Sequence, residues 1–139
     1  MKKPIVEFID FGFQYRSQSS PTLYNINLTI YQGEKVLILG PSGSGKSTLA
    51  NCINGLNPFS YEGKITGSCK IAGRETKTAS IFALSKTVGT VLQDSDAQFV
   101  ALSVGEDIAF ALENQSVPRE EMIPKVQRAS EIVGMEDFL

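Results

Sequence analysis

The chain has 139 residues, 42% hydrophobic and 20% charged, an ordinary globular balance with enough length to bury a core. Its formal net charge of −2 argues against a nucleic-acid-binding surface, where a basic patch is expected. No run reaches the ~20 apolar residues of a membrane span, and the absence of histidine excludes any step that uses imidazole.

Met1-Lys2-Lys3-Pro4 is basic, but Glu7 and Asp10 interrupt what would have to be an apolar signal core, so the chain reads as cytosolic. Ile5 to Asp10 is β-branched and aromatic and predicts a strand. Phe11, Phe13 and Tyr15, alternating with Gly12 and Gln14, continue it as an extended run. Ser17 to Pro21 is a polar loop. Ile26, Leu28 and Ile30 alternate with polar residues in the half-buried strand pattern. Gln32-Gly33 then turns the chain into Val36-Leu37-Ile38-Leu39, an apolar run of the kind a buried parallel strand needs. Hairpin-like spacing before that run implies an antiparallel layer beside a parallel core.

Gly40-Pro41-Ser42-Gly43-Ser44-Gly45-Lys46-Ser47-Thr48 fits G-x-x-x-x-G-K-[ST], the phosphate-binding P-loop or Walker A motif. Glycines let the backbone bend tightly and approach a phosphate. The N–H groups then form an anion-binding nest, and a helix starting near Lys46 aims its positive dipole end at the same point. In this motif Lys46 reaches the β/γ-phosphates and the Ser47 hydroxyl binds Mg²⁺. Leu49, Cys52, Ile53 and Leu56 recur at i, i+3, i+4 and i+7, one face of the helix the motif requires. Gly55 and Asn57-Pro58 supply stop signals. The bland alternative is a glycine-rich turn that binds nothing.

Further on, Ile65, Cys69 and Ile71 share one parity, which predicts more antiparallel sheet. Ser80 to Leu84 reads as a short helical turn, and Thr87 to Leu92 as strand-like, ending at Gln93. Ser103-Val104-Gly105-Glu106 has the form of a capping box ahead of a helix with Val104, Ile108, Ala111 and Leu112 on one face. A second helix carries Met122, Val126, Ala129 and Val133, with Pro118 suited to its first turn and Gly134 to its C-cap. Pro124 sits awkwardly in its interior: the helix starts near Pro124 or is kinked there. Cys52 and Cys69 lack metal-ligand spacing and read as reduced, buried thiols.

These features together resemble an ATP-binding cassette (ABC) domain over the whole length of the chain. The resemblance implies an α/β P-loop NTPase fold with a parallel core sheet, antiparallel N-terminal strands and the start of a helical subdomain. Residues 1–102 would be the nucleotide-binding core and antiparallel strands, and 103–139 the start of the helical part. It implies that Tyr15 stacks on adenine, that Gly40, Pro41, Ser42, Gly43, Ser44, Gly45, Lys46, Ser47 and Thr48 hold the phosphates, and that Mg²⁺ meets Ser47 and Gln93. Lys46 and Gln93 are the candidate catalytic residues, and ATP with Mg²⁺ the implied ligands. Tyr15 as a core aromatic and Gln93 as a solvent-facing loop amide are the plainer alternatives.

Asn54-Gly55-Leu56, Tyr61-Glu62-Gly63 and Gln93-Asp94-Ser95-Asp96-Ala97-Gln98 are similar to the ATPases of energy-coupling-factor (ECF) importers, notably those for thiamine precursors and cobalt. That branch implies a second ABC ATPase domain, an integral membrane transporter subunit and a place on the cytoplasmic face of the cell membrane, with no nucleic acid as partner. The family's L-S-G-G-Q signature, its apolar strand ending in Asp-Glu (Walker B) and its switch histidine are not in the sequence. The expectation is therefore the front part of a longer protein, inactive as an ATPase by itself. A GTPase would need an Asn-Lys-x-Asp segment, which is missing, and a small-molecule kinase usually lacks the antiparallel strands before the P-loop. A nucleotide sensor or a non-transport ABC protein is the remaining alternative.

Overall fold

Strand β1, Pro4–Tyr15, changes faces part-way along. Val6 and Phe8 are buried, and so are Phe11 and Phe13, although the two pairs have opposite parity. A regular strand alternates faces strictly, so one extra residue has been inserted between them. The pairing registers break there on both sides, between Phe8 and Phe11 toward one neighbour and between Ile9 and Gly12 toward the other. Asp10 takes φ 43° at the bulge. The Asn27 side chain pins it, accepting from the Asp10 N–H at 2.9 Å and donating to the Asp10 carboxylate at 3.0 Å. The result keeps Phe8 and Phe11 in edge-to-face contact, ring centres 5.0 Å apart, on one buried side.

A computed structural model describes residues 2–94 and 98–139. Around β1 lie β2 (Leu23–Tyr31) and β3 (Gly63–Ile71), both antiparallel to it, with the two-residue β4 (Arg74–Glu75) beyond β3. The sheet order is β2-β1-β3-β4. Helix α1 (Lys46–Asn54) follows the P-loop and ends at Gly55, and the short α2 (Leu56–Phe59) comes next. Helix α3 (Ile81–Ser85) starts at Ser80, whose hydroxyl accepts from the Ala83 N–H. The core joins Phe8, Phe11 and Phe13 of β1 with Leu49 and Cys52 of α1, Cys69 and Ile71 of β3, and Leu84 of α3.

These elements make up one compact unit, Met1–Thr90. The second unit, Val91–Leu139, holds α4 (Val104–Asn114) and α5 (Arg119–Val133) and a 3₁₀ turn at Glu136–Phe138. The capping box forms its first half: the Ser103 hydroxyl accepts from the Glu106 N–H at 3.3 Å. Asp107 stabilises the approach to α4, its carboxylate accepting from the N–H groups of Val100 and Ala101. Helix α5 starts after Pro118, runs through Pro124 and closes at Gly134 with φ 68°. The helix therefore does not begin at Pro124, which lies in its interior.

Two expected strands are not formed. Val36–Leu39 pairs with nothing among the described residues, and Leu37 and Leu39 are each 81% exposed. Residues Thr87–Leu92 likewise join no sheet, and Val91 is 92% exposed. Every paired strand among the described residues is antiparallel, so the expected parallel core sheet is not formed here. The reason is cooperative: a strand is held by its ladder partners, and an apolar run alone supplies only one side of each hydrogen bond.

Candidate nucleotide-binding site

The P-loop lies between the unpaired segment Val36–Leu39 and α1. Gly43 and Gly45 take φ 80° and 94°, and a Cβ on Gly43 would meet nothing within 4 Å, so this side of the loop is open. The backbone N–H groups of Gly43, Gly45, Lys46, Ser47 and Thr48 find no acceptor among the described residues. They converge on the N-terminus of α1, where unpaired donors and the helix dipole both favour an anion. The Lys46 ammonium donates to the carbonyls of Gly40 and Pro41, each at 2.8 Å, which holds it inside the loop. Ser47 is exposed at the loop mouth, whereas Thr48 is buried.

Tyr15 ends β1, and the bulge at Asp10 is what puts it on the same side as Phe11 and Phe13. Its ring meets Phe13 edge-on, with centres 4.8 Å apart. Its hydroxyl lies 3.0 Å from the Thr48 hydroxyl, so the strand end is tied directly to the P-loop helix. Tyr15 also lines a cleft of about 640 Å³ with Gln14, Arg16, Gln18, Pro58 and Glu62 among its walls. Arg16 closes one side through an ion pair with Glu62. A second, polar cleft joins the loop Ser17–Thr22 to Gly43.

Asn57 is a site residue that motif reading missed. It is fully buried, and its amide nitrogen lies 3.3 Å from the Thr48 carbonyl, 3.4 Å from the Tyr15 hydroxyl and 3.7 Å from the Cys52 sulfur. Its Oδ1 is buried with no partner among the described residues. An unpaired buried acceptor of this kind costs about 1–3 kcal/mol. The only signal in the sequence is a polar residue at the position where the α1 stripe expects the chain to leave the helix.

Gln93, the other proposed metal ligand, is exposed in the second unit. Of the segment after it, Ser95, Asp96 and Ala97 lie outside the described residues. The apolar residues Phe99, Val100 and Leu102 that follow are 71%, 60% and 102% exposed. Among the described residues no three His, Cys, Asp or Glu side chains cluster to hold a metal ion. Mg²⁺ does not require such a cluster: it keeps several waters and takes one or two protein oxygens with substrate phosphates, a demand that the exposed Ser47 hydroxyl fits.

The two buried thiols, Cys52 and Cys69, are free and inert. Burial pushes the Cys52 thiol up to about 11 against the opposing bond from Asn57. Burial likewise pushes Cys69 up to about 12.

A family model described as ABC transporter matches residues 23–139. The chain belongs to the ABC transporter family. This ABC domain is 64% identical over 138 residues to a Clostridium perfringens protein named "Putative ABC transporter ATP-binding protein", covering 99% of this chain and 24% of that protein. It is 62% identical to an Enterococcus faecalis protein of the same description, covering all of this chain and again 24% of the relative. Among solved structures it is similar to cbiO1 from Clostridium perfringens, part of the ABC transporter complex cbiONQ. There the TM-score is 0.82 and the identity 28%, over 99% of this chain and 53% of that one. The chain therefore spans about a quarter of the length of the curated relatives it matches. Among the described residues no helix is long and apolar enough to cross a membrane.

Proposed function

We propose that this chain is the nucleotide-binding front of an ABC ATPase that drives import of a vitamin or metal ion through an ECF-type membrane transporter. One observation carries the reading: five backbone N–H groups with no acceptor among the described residues and the Lys46 ammonium gather at the start of α1, where the Tyr15 hydroxyl, from a residue that also lines a cleft, lies 3.0 Å from the Thr48 hydroxyl. ATP binds with its base in that cleft against Tyr15 and its phosphates in Gly40–Thr48. Lys46 moves from the loop carbonyls to the β/γ-phosphates. Ser47 would hold Mg²⁺, with Gln93 the second proposed ligand, and the ion would neutralise charge on the phosphate oxygens.

Hydrolysis belongs to the intact protein, in which a second ABC domain meets this one and a membrane subunit receives the movement on the cytoplasmic face of the cell membrane. Residues 1–102 serve the nucleotide and 103–139 begin the helical part; residues 1–139 alone do not turn over ATP. The parallel core assembles there around Val36–Leu39. The similarity to cbiO1, part of an ABC transporter complex, supports the importer reading over a non-transport ABC protein or another P-loop nucleotide-binding protein.

The first test is Lys46→Ala in the intact protein. Charge-assisted contacts of this kind are worth about 1.5–3 kcal/mol each, so calorimetry is expected to show Mg-ATP binding at least ~10-fold weaker. Equal affinity would end the P-loop assignment.

A further inference from the structure

Tyr15, Thr48 and Asn57 come from three separate elements, yet their polar atoms form one chain. Atom type fixes the direction at its Asn57 end. The Thr48 backbone carbonyl can only accept, so the Asn57 atom that faces it at 3.3 Å is the NH₂ nitrogen. That same nitrogen faces the Tyr15 hydroxyl at 3.4 Å and the Cys52 sulfur at 3.7 Å; it cannot accept, and of the two acceptors left for its second hydrogen Tyr15 is the nearer. The Tyr15 oxygen accepts there, and between the Tyr15 and Thr48 hydroxyls, 3.0 Å apart, either can be the donor. Where the Tyr15 hydroxyl is the donor, Thr48 accepts and its own hydrogen is free for another acceptor. Thr48 is the third residue of α1, among the N–H groups that find no acceptor.

We propose that the Tyr15 hydroxyl is the donor to Thr48, so that Asn57 and the Tyr15 hydroxyl are positioning residues that order the Thr48 O–H as one more donor to the bound phosphates. Each bond in a chain of this polarity strengthens the next, because a hydroxyl that accepts becomes a better donor. The assignment gives Tyr15 a role on the phosphate side that is separate from any stacking of its ring. It also gives a role to an amide whose oxygen is buried without a partner among the described residues. The inference rests on the P-loop reading of Gly40–Thr48.

The experiment compares two ligands on the intact protein, Mg-ATP and inorganic tripolyphosphate, which has no base. Tyr15→Phe keeps the ring and removes only the hydroxyl. It is expected to weaken both ligands by the same factor, about two- to tenfold, the range of one net hydrogen bond. Asn57→Leu is expected to weaken both by a smaller common factor without lowering the melting temperature. Because Asn57 acts through the Tyr15 hydroxyl, the double variant should lose no more than Tyr15→Phe alone. Thr48→Ser, which keeps the O–H, should retain most of the affinity that Thr48→Val loses. If Tyr15→Phe weakens Mg-ATP and leaves tripolyphosphate unchanged, or if the two substitutions add, the relay is overturned while the P-loop stands. If Lys46→Ala leaves tripolyphosphate binding unchanged, the P-loop reading itself fails and the relay with it.

Discussion

Cys52 and Cys69 show how burial alone shapes residue chemistry in this chain. Neither thiol is exposed, and burial disfavours the thiolate, which raises both from an ordinary 9.0, to about 11 for Cys52 and about 12 for Cys69. The unfolded chain ionises these thiols first as pH rises. Below pH 9 both states keep their protons and the contribution to stability is intact; above it the unfolded state holds fewer protons, and stability falls until the folded thiols titrate. Urea unfolding of the intact protein between pH 7 and pH 11 should therefore show a steeper loss than in a Cys52→Ala/Cys69→Ala variant. Parallel curves would mean that the thiols are not the cause. The same burial keeps both sulfurs from acting as nucleophiles near neutral pH.

At the level of elements, the bulge in β1 decides where the site is. Its partner across β3 is Gly67, which has φ 67° and whose missing Cβ leaves room for the carbonyls of Ile9 and Asp10. Any side chain at 67 would press on that backbone and sit in a conformation L-residues rarely adopt. Gly67→Ala is expected to lower stability by ~1–3 kcal/mol, measured by denaturant unfolding. It should also weaken Mg-ATP binding, because the bulge aims Tyr15 at Thr48. A variant with full stability and full affinity would show that β1 reaches its register without this glycine. The helices rely more on local signals. Ser80, Ser103, Gly55 and Gly134 all cap where their residue types predict, because capping needs only neighbours within a turn.

At the scale of the whole molecule, the informative surface is apolar. Phe99, Val100 and Leu102 stand exposed on the segment after Gln98, ahead of α4. An apolar run on a loop is more often buried, and its exposure here is what a surface for a protein partner requires. Under the importer reading that partner is the membrane subunit. Cysteines placed at Gln98 or Ala101 of the intact protein should crosslink to it in native membranes. Crosslinks arising solely from Thr76–Ser80 would move the docking face to the segment before α3. Val36–Leu39 is exposed as well: its main-chain groups lack a ladder partner among the described residues, and an open apolar edge of this kind is an aggregation hazard.

The sequence alone determined everything in this chain that depends on short range. The P-loop, the alternation of β2, the stripe of α1 and the helix caps were all legible, because each is set by residue types within a few positions of one another. Tertiary structure decided the rest. An aromatic at 15 could be read, but not the face it occupies, since one inserted residue at Asp10 reverses every side chain after it and that insertion is stabilised by Asn27 and Gly67 on other strands. Asn57 had no motif to announce it; only the packing of α2 against α1 and the end of β1 brings its amide to Tyr15 and Thr48. Val36–Leu39 has the composition of a buried strand yet pairs with nothing among the described residues, because composition records a preference for burial and a ladder needs a partner chain segment to satisfy it.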